Sequence, residues 1–445
     1  MYDICDGSVS LRTPEALAAW NDLIRAFLAH SARTPEHLGA VLAAEPDFAM
    51  GHAAKGLFSL MMGRRELIAV AQAALADAQR GVADHPREKN WVLALDAWLK
   101  GRPSRAIAHM EAVLAQTPRD TFSAKISHAI RFILGDSKGM RQSIETLLPH
   151  HDASHPLRGY LLGCHAFSLE ETGSYEMAER AGLEGLQFAP DDAWGLHAVA
   201  HVYDMTAQSA RGISLIEDNT SAWDHCNNFR YHVWWHKALL HLDRAEYDTA
   251  LALYDQKIRH EKTDDYRDIS NATSLLMRLE LDGIDVGNRW EELADLSETR
   301  TQDGCLVFAD LHYMLALGSA GRFESAGEMA LRFTVDARKH GEMPDRVADP
   351  GIAALTGLHS FAEGRYDTAF LNLAAARPSM QTIGGSHAQR DVFERMTIDA
   401  GLRAGYFDQT ESIMYERLAR RNGAEDRFTA TRFAALSNAR RIPAQ

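Results

Sequence analysis

Two pairs of histidines stand at i and i+4, His197 with His201 and His232 with His236. On a helix this spacing puts both imidazoles of a pair on one face, about one turn apart. Such a face can clasp a divalent metal or pass protons. The pattern is not the zinc-protease H-E-x-x-H, because Ala198 and Val233 stand where the Glu general base belongs. His197, His201, His232 and His236 are therefore candidate ligands for a divalent metal cofactor. Together with His312 and Asp268 they are candidate acid/base groups. The bland alternative for each ring is a core imidazole bonded to a backbone carbonyl or a carboxylate.

Two polar stretches could serve those rings. Asp268, Asn271 and Ser274, at i, i+3 and i+6, share a helix side opposite Leu275, Leu276 and Leu279, where they would orient imidazoles. The run from Gly384 to Phe393 opens with Gly-Gly-Ser, which reads as a helix start with Ser386 as N-cap. The amides after it, beside Arg390, form a corner that suits a carboxylate or phosphate. His387, Gln389, Arg390 and Asp391 are the candidate ligand contacts there, with Asn271. Trp194 and Trp235 are aromatic candidates for the same ligand, against the commoner role of large rings as core.

A recurring phrase supplies the elements that would carry these residues. Gly173-Ser-Tyr175-Glu-Met-Ala178 recurs as Ala245 to Ala250, Gly321 to Ala326 and Gly364 to Ala369, and more loosely as Gly101 to Ala106. Glycine allows a tight turn, the aromatic ring plugs the hairpin, alanine admits a second helix, and proline ends it, as at Pro118 and Pro190. This is the grammar of tetratricopeptide repeats, with copies about 40 or about 75 residues apart. Alternating strand patterns are nearly absent. The expected fold is an all-α superhelix, a single array over residues 1–445, with lid or rim loops near 259–268 and 336–350. In such an array the first helix of each hairpin lines the concave face, and those helices carry His128, His165, His232, His236 and His312.

Composition narrows the partners. The 445 residues carry 47 Lys and Arg against 61 Asp and Glu, a net charge of −14. No local basic patch stands out, so nucleic acid and anionic membrane are expected to be excluded as partners. No apolar run of membrane length and no secretory start appears, which places the chain in the cytosol. Cys5, Cys164, Cys226 and Cys305 lack metal-site spacing and are expected to be reduced and mostly buried. There is no P-loop, Rossmann fingerprint or nucleophile elbow.

Longer strings carry a resemblance. Asp191 to His201, Tyr231 to Leu239 and Gly384 to Phe393, with Ala44 to His52, Gly283 to Trp290 and Phe308 to His312, are similar to the tetratricopeptide repeat protein 38 family along nearly the whole chain. The resemblance implies a helical-repeat fold and no established reaction. The family string can have Asn where His387 stands, so it does not imply an obligatory catalytic role for His387.

Two classes of function follow. In one, the histidines, Asp268, Asn271 and Arg390 line a pocket for a small anionic molecule, with acid/base or metal-assisted chemistry. In the other, the concave face is a scaffold for a peptide or partner protein. Self-association through the end helices is a further expectation, and the Arg-rich stretch from Arg417 to Arg441 is the candidate cap or contact.

Overall fold

A computed structural model describes residues Met1–Arg441. Among the described residues the regular structure is helical, with three isolated bridges and no strand. Consecutive helices pack against each other as hairpins, as in Arg158–Glu170 with Tyr175–Phe188, Val307–Ser319 with Phe323–Asp336, and Ile352–Ala362 with Tyr366–Ala376.

The repeated phrase falls on these turns. Gly173, Gly321 and Gly364 adopt φ of +80°, +71° and +74°, a left-handed conformation that costs an L side chain about 1–2 kcal/mol. Ala245 accepts φ +58° at the equivalent turn after Phe229–Asp243. The alanines that follow, Ala178, Ala250, Ala326 and Ala369, are fully buried, as close helix approach requires. The aromatic position is less uniform. Tyr175 is buried, Tyr247 and Tyr366 are half-buried, and Phe323 is 43% exposed, so the ring plugs one hairpin fully and leaves another open.

The chain divides into two compact units, Met1–Val199 with Asp218–Arg230, and Ala200–Glu217 with the residues from Tyr231 onward. The core of the first includes Trp20 edge-on to Phe48 and Phe122, with Trp91 tilted on Phe122. Beside it the fully buried Arg87 guanidinium donates to Asp3 (2.5 Å) and Asp120 (2.7 Å). Trp20 donates to the same Asp3 carboxylate at 2.9 Å.

The second unit encloses its first helices. Every residue from Val307 to Gly318 is buried, and Tyr266–Leu281 is buried on nearly every side. Helices so surrounded are core elements. Of the stretches expected as lids or rims, residues 259–265 connect to Tyr266–Leu281, and residues 336–350 contain the short helix Glu342–Arg346. The four cysteines are free thiols, buried except for the partly exposed Cys305. No described helix is long and apolar enough to cross a membrane.

Candidate functional site

Three imidazoles converge in the second unit. His201 comes from Ala193–Met205, and His232 and His236 from Phe229–Asp243. They are 0%, 9% and 2% exposed, and ring nitrogens of all three lie within 4.8 Å of one another. The His236 ring lies 4.3 Å from that of His201 and stands edge-on to that of His232 at 4.6 Å. The Nε2 atoms of His236 and His232 are 3.1 Å apart, so one N–H is shared between two nitrogens.

The polar helix anticipated for orientation supplies it through Asn271. His232 Nδ1–H donates to Asn271 Oδ1 at 3.2 Å, and Gln389 Nε2–H donates to the same oxygen at 3.3 Å. Gln389 is held in turn by the helix start. Ser386 is the N-cap of His387–Ala404, its Oγ accepting from the Gln389 amide at 3.3 Å while Gln389 Oε1 accepts from Ser386 N–H at 3.0 Å. A capping box therefore fixes the glutamine, which fixes the asparagine, which fixes the His232 tautomer. With Nδ1 protonated, Nε2 presents its lone pair to His236. Burial, with His201 close by, pulls the His232 pKa down to about 3 and keeps the ring neutral.

The remaining predicted residues divide. Trp235 stacks on His232 at 5.3 Å, and the Arg278 guanidinium lies 5.6 Å over the Trp235 ring. Arg278 also donates to the Ala388 carbonyl at 2.6 Å, tying Tyr266–Leu281 to the start of His387–Ala404. Asp268, at the opposite end of its helix, accepts from Thr263 Oγ1 at 2.6 Å. Ser274 accepts from Arg278. His312 donates through Nδ1 to the Phe308 carbonyl at 2.8 Å and packs against Phe308 and Phe393. His197, predicted as a fourth candidate ligand, belongs to the first unit. Its Nδ1 lies 3.2 Å from the Trp194 carbonyl.

Trp194 belongs to the first unit, where it packs on Phe167 (4.5 Å) and His197 (4.9 Å) and holds the Lys125 ammonium 4.2 Å over its face. Next to it the Asp192 carboxylate fills a slot left by Gly163 and Gly195, where a Cβ on either glycine would fall within 2.5 Å of Oδ2. Burial lifts this carboxyl to about 7 in spite of nearby Lys125 and the Gly195 amide.

The anion corner opens onto a cavity of about 410 Å³ in the second unit. His387, Arg390 and Asp391 line it, together with Arg377, Arg417, Arg420 and Arg421. The helix that carries His201 ends in the cavity residues Asp204 and Met205, and Gln389, which donates to Asn271, stands in sequence between the cavity residues Ala388 and Arg390. The arginines are held in place: Arg377 on Glu394 and Glu416, Arg420 on Glu394, and Arg417 on Asp391 and Asp426. Arg390 donates to the Gly384 carbonyl at 3.2 Å and to that of Gly385. Three guanidinium groups around Asp391 hold its carboxyl well below the usual range despite burial. The sequence reading takes Arg417 to Arg441 as a cap or a self-association contact, not as a ligand wall; Arg417, Arg420 and Arg421, at i, i+3 and i+4, are the available signal of one charged face.

No family model matches the chain. Solved structures similar to it include the human IFIT1 dimer with PPP-AAAA (13% identity, TM-score 0.42, 97% of each chain). The human IFIT1 dimer with m7Gppp-AAAA aligns at 14% identity and TM-score 0.40 over 98% of this chain and 97% of that one. A monomeric IFIT1 mutant with Gppp-AAAA aligns at 13% and 0.38 over 93% and 99%. At this identity and TM-score the similarity assigns no ligand to this chain. The sequence-based exclusion of nucleic acid is nonetheless corrected. A net charge of −14 is a whole-chain sum that hides five arginines around one cavity, so it does not exclude a polyanion.

Proposed function

We propose that this protein is a relative of the tetratricopeptide repeat protein 38 family whose second unit binds a small anionic molecule in the arginine-lined cavity. The observation that carries this reading is the cavity itself. About 410 Å³ falls within the roughly 300–1,000 Å³ of small-molecule sites, and five arginines face it beside the first turn of a capped helix. The carboxylates paired with those arginines pre-set the guanidinium planes, so an incoming anion meets donors that are already ordered. The family reading rests on the strings around His197, His232 and Gly384. The enclosure of Val307–Ser319 and Tyr266–Leu281 favours a pocket over an open peptide groove, because these first helices have little surface left to offer a peptide.

Calorimetric titration with inorganic phosphate, pyrophosphate, a small dicarboxylate and a short 5′-triphosphate oligonucleotide tests the reading and sorts the ligand class. The Arg377→Ala/Arg420→Ala variant should weaken the best of these at least tenfold. No binding by any of them, or equal binding by the variant, overturns the proposal, and binding of extended peptides instead would establish the scaffold.

A further inference from the structure

From the geometry of His201, His232 and His236 we infer a zinc-type metal site in the second unit, independent of the anion cavity. Two nitrogen ligands of a tetrahedral zinc ion, each bonded at about 2.0–2.1 Å, stand about 3.3 Å apart. The Nε2 atoms of His232 and His236 are already 3.1 Å apart, so an ion can take the place of the one proton they share. His201 offers the third nitrogen from a different helix, within 4.8 Å of both. The convergence of two helices distinguishes this arrangement from a chance pair on one face.

A second observation points the same way. The orientation of His232 is enforced by a buried relay, Ser386 to Gln389 to Asn271 to His232 Nδ1. A carbonyl-type acceptor on the far ring nitrogen is the usual outer shell of a metal-bound histidine. Three neutral imidazoles satisfy zinc's preference for nitrogen and leave a fourth position for water or an anion, the pattern of catalytic rather than structural zinc. Because the three ligands carry no charge, the fourth position favours an anionic occupant.

The test uses the full chain, purified without a metal-affinity tag, stripped with chelator and dialysed against zinc. About one zinc per chain should be retained. Cobalt in its place should give the visible absorption of a tetrahedral nitrogen site. His232→Ala/His236→Ala should lower zinc affinity at least 100-fold while helical circular dichroism persists. Asn271→Ala, which alters only the positioning group, should lower it 10- to 100-fold and shift the cobalt spectrum, with Asn271→Asp restoring affinity. Should the histidine variant fail to fold, the wild-type melt decides: zinc at 100 times its dissociation constant raises stability by about 2.7 kcal/mol at the melt if the site exists. Sub-stoichiometric zinc with no cobalt spectrum, or unchanged affinity in a folded double variant, overturns the site. Phosphate titration of the metal-free protein separates this outcome from failure of the anion cavity.

Discussion

One buried polar cluster in each unit follows an opposite strategy. In the first, the buried Arg87 sits between Asp3 and Asp120, so charge is answered by charge. In the second, His201, His232 and His236 are buried with ring nitrogens within 4.8 Å of one another, and burial keeps His232 neutral. An ion pair answers its own charge. A group of converging imidazoles presents nitrogens of the type that a metal cation binds. The contrast teaches that burial of polar residues alone does not mark a site; what matters is whether the cluster is complete without a further atom.

The strongest test of that contrast is Arg87→Ala. Removing one partner leaves two buried carboxylates uncompensated, for a loss of about 3–5 kcal/mol, read as a large fall in thermal midpoint. The double histidine variant of the second unit should cost far less stability and show its effect in zinc retention. Equal destabilisation by both would erase the distinction between a closed cluster and an open one.

Asp192 sharpens the comparison within the first unit. Its folded pKa of about 7 lies above the unfolded carboxylate value, so the unfolded chain loses its proton first. Stability tied to this group is intact below about pH 4 and is lost as pH rises through 7. Asp192→Asn, which can still accept from the Gly195 amide, should therefore be the more stable protein above pH 7, by on the order of 4 kcal/mol, and equal to wild type at pH 4. Denaturant midpoints across that range check both sign and window.

Buried histidines outside the converging site run the other way in both units. His151, between Thr121 Oγ1 and the Leu147 carbonyl, and His312, against Phe308 and Phe393, are pulled down to about 4, chiefly by burial. Their contribution is intact above about pH 6.5 and is lost as pH falls toward 4, by about 3 kcal/mol each. His312→Gln should flatten part of that slope.

The smallest expected effect is at the end of the relay. Ser386→Ala removes one cap bond, for about 1 kcal/mol, and loosens Gln389. A several-fold drop in zinc affinity should accompany it; an unchanged affinity would place the relay's importance at Asn271.

Much of the local structure was legible before any coordinates. The turns at Gly173, Gly321 and Gly364, the buried alanines after them, the Ser386 cap and the facing of His232 with His236 all follow from periodicity along one chain segment. Asn271 was legible as a polar position on the right helix. Its neighbours Asp268 and Ser274 instead satisfied Thr263 and Arg278, because helix phase gives a side but not the partner waiting there. The exposure of Phe323 and the cover of Lys125 over Trp194 are likewise decided by what packs nearby.

The sequence by itself determined an all-α chain of hairpins, the caps and turns that end them, and which residue types share a helix face. These depend on interactions among residues within a few positions of one another. Only the tertiary structure decided that His201 meets His232 and His236, that Gln389 reaches Asn271 across 118 residues, and that arginines from separate helices gather at one cavity in an acidic protein. Packing joins segments far apart in the chain, and neither spacing nor net charge encodes where distant helices meet.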